Sequence, residues 1–323
     1  MNPTDSKNFT PLQPLFLRMK NLFKSTTFLA ILVCWLWSTA FALVKIGLEY
    51  SMPFQFAGFR FILAGLMLFI FIGKPRMIWN ELKANWKFIA ILSFAQFSGQ
   101  YAFFYKGMEL VPAALGAMII GSSPLFIAVV AHFAFHNDKM TPLKTASILI
   151  GVVGIAIITL GRAKVELKNS LEYLGIGFLF INNLFSGYSN VLVSKQTRKV
   201  SPMVLSSTSL FIGGLTLFLF SIPTEGLHFE PAPAVFYFAL GWLAFLSAAS
   251  FAIWYGLLQR PGVKVSHLNM WKFLIPVSGA ILSWILIKNE KPDLVSLVGM
   301  AVITLSLLML NYAHRKANAV ILN

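Results

Sequence analysis

Two basic residues interrupt apolar stretches of this sequence, and each could bind an anion. Lys272 lies in the run NMWKFLIPVSGAILSW (269–284), and Arg60 lies in the run PFQFAGFRFILAGLML (53–68). If these stretches cross a membrane, a lysine that faces lipid at mid-bilayer depth costs about 3 kcal/mol. We therefore expect such a cation to face the protein interior or a water-filled cavity, where a carboxylate can pair with it.

The spacing around Lys272 indicates a polar stripe on one side of a helix. Asn269, Lys272, Pro276, Gly279 and Ser283 recur at steps of three and four, so they share one helical face. We predict that Lys272 binds substrate with help from Asn269. The alternative is that Lys272 extends its ammonium group to the nearer helix end, as lysines close to a membrane boundary do.

Other candidate binding residues lie in neighbouring apolar runs. Gln96 and Gln100 share one face of a predicted helix, Asn183 begins a polar stripe on another, and Trp254 follows two serines on a third. Hydrogen bonding between helices is the alternative role for each of these side chains. Arg60 is the last candidate. Its alternative roles are to extend outward to the membrane boundary or to clamp the carbonyl groups at a helix end.

Two prolines fall at matching places inside predicted helices and are candidate hinges. Pro124 and Pro276 each free a carbonyl group from the helical hydrogen-bond ladder, and Gly121 and Gly279 stand nearby. We predict that they let the two halves bend during function. A static kink that improves packing is the alternative.

The positions of the acidic residues narrow the possible ligands. All of the 11 Asp and Glu residues fall in loops or at the boundaries of apolar runs. Exporters of cationic drugs that are driven by protons generally need a carboxylate within the membrane, so the deep positive charges favour an anionic or zwitterionic cargo. No phosphate-binding GxxxxGK[ST] motif occurs, the single cysteine cannot form an internal disulfide, and we predict no cofactor and no metal site.

The composition identifies the elements that must position these residues. Of 323 residues, 57% are hydrophobic and 11% are charged, which is typical of a chain with many membrane-spanning helices. The formal net charge is +15, but the basic residues flank the apolar runs, as they do in membrane proteins. We therefore discount nucleic acid as a partner. We predict an all-α integral membrane fold with ten spans, at 27–47, 53–73, 86–108, 112–136, 142–161, 173–195, 202–222, 234–258, 264–287 and 293–312.

The distribution of basic residues predicts the orientation of the chain. Most of the 26 Lys and Arg residues precede the first span or lie in every second connection after it. The positive-inside rule then places both termini in the cytoplasm of a protein of the cell membrane. Residues 1–26 are predicted to be a cytoplasmic N-terminal segment, and residues 313–323 a cytoplasmic C-terminal tail.

The two halves of the chain resemble each other. GSSPLFIAVVAHFAFHND (121–138) aligns with FLIPVSGAILSWILIKNE (273–290), and YAFFY (101–105) aligns with FAIWY (251–255). The repeats, 27–161 and 173–312, hold five spans each, and an odd number turns the second repeat upside down in the membrane. Inverted repeats are typical of alternating-access transporters, whose binding site lies between the halves.

These residues resemble a known family. LWSTAFALVKIGLEYSMPFQFAGFRFILAGLML (36–68), together with the two matching prolines followed by acidic loops, resembles the EamA-like permeases of the drug/metabolite transporter superfamily. The resemblance implies two inverted five-helix repeats around a central cavity, with the fifth and tenth helices at the periphery. One departure is that Ser209 stands where the first repeat has Arg60, and Ile120 where the second has Lys272.

We therefore predict a secondary-active exporter of small metabolites, such as amino acids or other solutes that carry a carboxylate, and not an enzyme. The alternatives are an integral-membrane enzyme and a flippase for lipid-linked substrates. The lipid bilayer and a small molecule are the expected partners. A homodimer through the fifth and tenth spans is possible, although small residues in those spans also serve packing within one chain.

Overall fold

A computed structural model describes residues 25–135, 140–163, 170–195, 200–227 and 231–322, which form helices and no strand. Most of the predicted N-terminal segment lies outside these ranges. We number the helices along the chain and join pieces that continue one another. They are α1 (Thr26–Leu48), α2 (Pro53–Ile72), α3 (75–110), α4 (Ala113–Ala134), α5 (Pro142–Ala163), α6 (Ser170–Lys195), α7 (Pro202–Glu225), α8 (Ala234–Leu258), α9 (Val265–Leu286) and α10 (Leu294–Leu322).

Within the described ranges, eight helices are long and apolar enough to cross a membrane, namely all of these except α3 and α5. The apolar part of α5 is shorter, Pro142–Ile158. Polar residues such as Gln96 and Gln100 lower the hydropathy of α3. Each predicted span falls on one of the helices, but ten crossings in an inverted arrangement stay a prediction. The chain stays helical to Leu322, so α10 extends into the predicted tail.

Local sequence signals fix several helix ends. Pro53 and Pro202 occupy the first turns of α2 and α7, where the missing N–H is not needed. The side chain of Ser201 accepts a hydrogen bond from the backbone N–H of Val204 at 3.3 Å, which caps α7. Gly73 ends α2 with a φ of 60°, a left-handed conformation that glycine adopts without steric cost.

Helix α3 bends sharply close to where the third span is predicted to begin. Asn85 has non-helical backbone angles, with φ −127° and ψ 20°. The segment before it, from Pro75, is amphipathic, and Trp79 is 63% exposed. An amphipathic segment with exposed tryptophan is typical of a helix that lies at a membrane boundary.

Helices α2 and α7 pack closely through glycines that match between the repeats. A Cβ atom on Gly65 would lie 2.7 Å from the Cβ of Phe211, and one on Gly214 would lie 2.8 Å from the Cβ of Phe61. The two contacts are reciprocal, because Gly214 in the second repeat lies at about the position of Gly65 in the first, and Phe211 lies at about that of Phe61. The two helices run antiparallel. Close approach of the two backbones therefore requires glycine on both helices.

The other matching helices also pack against each other. In α5 and α10, Gly151 lies against Ser306, and Gly299 lies against Ile158, again in reciprocal positions. The glycine-bearing faces of α5 and α10 are therefore buried within one chain. A homodimer through these helices would have to use their other faces.

Two helices of the core break near the predicted hinge prolines. Helix α4 is interrupted at Ser122, and Pro124 occupies the first turn of the piece that follows. Helix α9 is interrupted by a 3₁₀ turn, Met270–Phe273, and Pro276 lies in the first turn of Leu274–Leu286. The breaks lie next to each other, because a Cβ atom on Gly121 would lie 2.2 Å from the ring of Pro276. Motion at these prolines stays a prediction.

Two acidic side chains bind helix starts on neighbouring elements. Glu225 accepts hydrogen bonds from the backbone N–H groups of Phe54 and Gln55 at the start of α2. Glu290 accepts from Ala113 and Ala114 at the start of α4. A carboxylate is favourable at the positive end of a helix dipole, so these two acids stabilise the fold where the sequence places them, at span boundaries.

Candidate functional site

A central cavity lies between α1, α2, α3, α4, α6, α8 and α9. It contains about 690 Å³ of empty space, counting the part that opens to solvent, and the centres of water-sized molecules can occupy about 70 Å³ of it. Six of the seven predicted binding residues line it. They are Arg60, Gln96, Gln100, Asn183, Trp254 and Lys272.

The ammonium group of Lys272 lies between two tryptophan rings. Its Nζ atom is 5.3 Å from the ring centroid of Trp37 and 5.3 Å from that of Trp254. The two rings meet edge to face, with centroids 5.0 Å apart. We call Trp37, Trp254 and Lys272 the aromatic box.

Lys272 is only 6% exposed, yet it has no hydrogen-bond acceptor or carboxylate partner among the residues that the structure describes. Two ring contacts offset part of the cost of burying the charge, since a desolvated cation–π contact contributes about 2 kcal/mol. The three N–H groups of the ammonium are left for a ligand or water in the cavity. The side chain thus lines the cavity, and substrate binding by it remains a prediction.

Asn269, the seventh predicted residue, is fully buried behind the cavity wall. Its side-chain amide donates to the Oδ1 atom of Asn190 at 3.2 Å and to the carbonyl of Val265 at 2.9 Å. The same Asn190 oxygen accepts a hydrogen bond from Nε1 of Trp254 at 2.9 Å. Asn269 and Trp254 therefore share the Asn190 oxygen, which helps to position the Trp254 ring of the aromatic box.

Arg60 supplies the second positive charge of the cavity. Its Nε atom donates to Oγ of Ser247 at 2.8 Å, and its Nη1 atom donates to the hydroxyl of Tyr105 at 3.1 Å. The guanidinium carbon lies 5.0 Å from the ring of Phe61 and 5.6 Å from that of Tyr101. These partners are neutral side chains, whereas the structural alternative expected helix-end carbonyls.

The charge of the cavity is therefore positive. Arg60 is 1% exposed and has no carboxylate within ion-pair distance among the described residues. None of the described residues that line the cavity is acidic.

Gln96 and Gln100 lie on an unusual piece of α3. Residues Ser93–Gln100 form a π-helix, and Nε2 of Gln96 donates to Oε1 of Gln100 at 2.7 Å. Such segments occur frequently at functional sites. Side-chain spacing predicted the shared face of the two glutamines, but it did not predict the wider backbone turn.

Asn183 connects the cavity to the break in α4. Its Nδ2 atom donates to the carbonyl of Ile119 at 2.8 Å, next to the interruption at Ser122. Hydrogen bonding between helices, the alternative named for this residue, is therefore present, and Asn183 also borders the cavity. The neighbouring Asn182 lines the cavity as well.

Aromatic and small polar side chains complete the wall. Phe251 of α8 and Tyr101 of α3 are buried cavity residues, and their rings lie 6.3 Å apart. Polar spacing on α6 predicts Ser186 and Asn190 as members of the stripe that begins at Asn183, and both line the cavity. Ser123 could have been found only by knowing that α4 breaks beside it.

The described residues contain no group of three His, Cys, Asp or Glu side chains that could hold a metal ion. The only cysteine of the chain, Cys34, is buried as a free thiol in α1. What the cavity offers is an aromatic enclosure with two cations, amides and hydroxyl groups. Such a site suits reversible binding of a small anionic or zwitterionic molecule.

Comparison with known proteins identifies the family. The model of the EamA-like transporter family matches residues 24–160 and matches again over residues 173–312. The chain belongs to the EamA-like transporter family. The protein is thus a multi-pass membrane transporter of the drug/metabolite transporter superfamily, and its expected substrates are small molecules.

Several relatives of this EamA-like transporter are similar over most of their length. An "Uncharacterized transporter" of Archaeoglobus fulgidus is 24% identical over 278 residues, covering 85% of this chain and 93% of the relative. A "Probable amino-acid metabolite efflux pump" of Escherichia coli is 25% identical over 262 residues, covering 78% and 83%. A WAT1-related chloroplastic protein of Arabidopsis thaliana is 27% identical, covering 85% of this chain and 67% of that protein.

A solved crystal structure has the same fold. It superposes with a TM-score of 0.70 at 19% sequence identity and covers 91% of this chain and 98% of that chain. At this identity the likeness concerns the fold alone.

Proposed function

We propose that this transporter exports small solutes that carry a carboxylate, with amino acids as the leading class, by alternating access and without a covalent step. The observation that carries the proposal is the cationic cavity, in which Lys272 and Arg60 face no acidic residue among the described lining side chains. A buried charge without a partner is costly, so a ligand carboxylate that pairs with these cations would be stabilised in the cavity.

The rest of the wall suits the remainder of an amino acid. An amide oxygen can accept a hydrogen bond from an α-ammonium group. Gln100 borders the cavity, and its Oε1 atom accepts one hydrogen bond from Gln96, which leaves a second lone pair for a ligand. Aromatic rings of Trp37 and Phe251 provide an apolar surface for a side chain. The cavity therefore pairs a cationic end for the carboxylate with surfaces that tolerate different side chains.

Alternating access is supported by the packing of matching helices. Reciprocal antiparallel contacts, such as Gly65 with Phe211 and Gly214 with Phe61, are what a two-fold axis between two inverted repeats requires. The family model also matches the two halves separately. We infer two five-helix repeats, 27–161 and 173–312, that rock around the central cavity.

The direction and location rest on two further observations. The relative from Escherichia coli is described as an efflux pump, which supports export here. The excess of Lys and Arg in alternate connections supports cytoplasmic termini in the cell membrane.

Exchange in proteoliposomes tests this proposal. Vesicles are loaded with one common amino acid or small carboxylic acid at a time, and exchange of the same labelled solute is measured. We expect saturable counterflow for at least one carboxylate-bearing solute, and we expect Lys272→Met to reduce it by at least ten-fold, because a hydrogen bond between charged groups contributes about 1.5–3 kcal/mol.

Lys288→Met is the matched control, because Lys288 follows the same helix but is exposed and outside the cavity. It should leave counterflow unchanged. Unaltered exchange by Lys272→Met in correctly inserted protein would remove Lys272 from the site. Flux that does not saturate or exchange would indicate a channel.

A further inference from the structure

A second groove lies at the end of the bundle where α2 ends and α7 begins, and it shares no described lining residue with the central cavity. We call it the boundary groove. It contains about 1110 Å³ of empty space, including space open to the surroundings. One wall is apolar and includes Leu29, Ile72 and Ile253, while Phe71 is 79% exposed at the rim.

Two cations also line the boundary groove. Lys74 directly precedes α3 and is exposed, and Arg260 follows the end of α8. The Nη1 atom of Arg260 donates to Oγ1 of Thr26 at 2.8 Å, which orients the guanidinium group. The groove thus combines an apolar wall with cations, which are the features that the acyl chain and the headgroup of an anionic lipid require.

An adjoining pocket adds an unmet hydrogen-bond donor. This pocket shares Arg260, Ser201 and Pro202 with the boundary groove and is also lined by Gln259. Gln259 is only 5% exposed, and its Nε2 atom has no hydrogen-bond partner within the described part of the chain. A buried amide donor without an acceptor costs about 1–3 kcal/mol, so an oxygen-rich ligand would be stabilised beside it.

The acid in this region is already engaged. Glu81 lines the adjoining pocket, and its Oε2 atom accepts a hydrogen bond from the backbone N–H of Ser201 at 2.8 Å. Its charge lies at the start of α7, where the helix dipole stabilises it. Among the described residues, Lys74 has no carboxylate within ion-pair distance, so this cation can attract an anion.

The depth of the boundary groove matches a membrane surface. The amphipathic first part of α3 begins right after Lys74 and exposes Trp79 and Trp86, at 63% and 58%. Exposed tryptophans of this kind lie at the level of lipid headgroups. The cations of the boundary groove are therefore placed where phosphate groups are found, and its apolar wall lies deeper.

We propose that the boundary groove binds one anionic phospholipid, with its phosphate at Lys74 and Arg260 and an acyl chain along Ile72 and Ile253. Gln259 donates to an oxygen of the headgroup. Basic pockets between transmembrane helices bind anionic headgroups in this manner. A free phosphate would use the same donors but would gain nothing from the apolar wall, so the chemistry favours a lipid.

Lipid titration followed by native mass spectrometry tests this site. The purified transporter is titrated with phosphatidylglycerol, with phosphatidylcholine of the same chains, and with inorganic phosphate. We expect phosphatidylglycerol to bind several-fold more tightly than phosphatidylcholine. Lys74→Gln should weaken phosphatidylglycerol binding about five-fold, since one basic residue near an anionic lipid contributes about 1 kcal/mol.

Lys87→Gln is the control variant, because Lys87 is exposed on the same helix but does not line the boundary groove. It should change the affinity by less than two-fold. A second variant, Gln259→Leu, should also weaken phosphatidylglycerol binding, and it does not alter the net charge. Equal affinities for the two lipids, equal losses in Lys74→Gln and Lys87→Gln, or full displacement by inorganic phosphate would each overturn the proposal.

Discussion

At the scale of single residues, the candidate site depends on how a buried ammonium is held without a counter-ion. Trp37 and Trp254 enclose Lys272, and Asn190 fixes the second ring through a 2.9 Å hydrogen bond. The box therefore combines an attractive surface for the cation with free donors toward the cavity. Because these side chains are already held in place, they would lose little conformational entropy when a ligand carboxylate binds.

Replacing one ring tests whether the box shapes the site. Trp254→Phe removes the donor to Asn190 and weakens the cation–π contact by about 1 kcal/mol, so we expect the KM for exchange of a transported solute to rise about five-fold. Trp284→Phe, in α9 but away from the cavity, is the control and should leave KM unchanged. KM is measured in the proteoliposome assay; no difference between the two variants would mean that the box does not contact or position the solute.

The sequence predicts part of this arrangement and misses the rest for a clear reason. Helical spacing around Lys272 predicts a side that avoids lipid, because a periodicity of 3.6 is a local property. The pairing of Lys272 with Trp37 depends on how α1 and α9 cross, which no local pattern encodes. Asn269 shows the same limit: it lies on the predicted face, yet its amide is bound to Asn190 behind the wall.

At the scale of helices, the breaks in α4 and α9 are the elements most suited to movement. Pro276 cannot donate to the preceding turn, and Gly121 allows the two broken helices to touch at this point. Asn183 binds the carbonyl of Ile119 beside the break in α4. The crossing thus joins both halves of the chain next to the cavity.

Pro276→Ala would restore a backbone donor and stiffen α9 at the crossing. If the break acts as a hinge, we expect the maximal rate of exchange to fall at least five-fold while KM changes less than two-fold. Pro223→Ala, at another proline inside a helix and away from the crossing, should affect neither. Equal losses of rate and affinity in Pro276→Ala would instead indicate a static kink, the alternative left open by the sequence.

The sequence predicts the positions of these two breaks but not the backbone conformation at them. The matching prolines predict kinks in the two helices, and interruptions lie beside both. The π-helix of α3 and the interruption of α1 at Thr39 have no such marker, since neither segment contains a proline. Both depend on how the helix packs against its neighbours.

At the scale of the whole molecule, the charged residues divide into two groups with different roles. Acids such as Glu225 and Glu290 bind helix starts at the boundaries, while Lys272 and Arg60 lie in the cavity away from them. The repeat pattern predicts which helices match, and close contacts at Gly65 and Gly214 join two of them. The sequence cannot show how wide the space between them is, because cavity volume depends on all the helix crossings together.

If the two repeats rock around the central cavity, water and solute reach it in turn from each side of the membrane. Ser123 lines the cavity and is 2% exposed, and Cys34 is the only native cysteine, so Ser123→Cys in a Cys34→Ala background gives a single nearly isosteric reporter. Its reaction with a membrane-impermeant thiol reagent, added to one side at a time, tests the claim most directly. Alternating access predicts labelling from both sides that a transported carboxylate slows; a thiol in folded protein that reacts from neither side would exclude alternating access to this cavity.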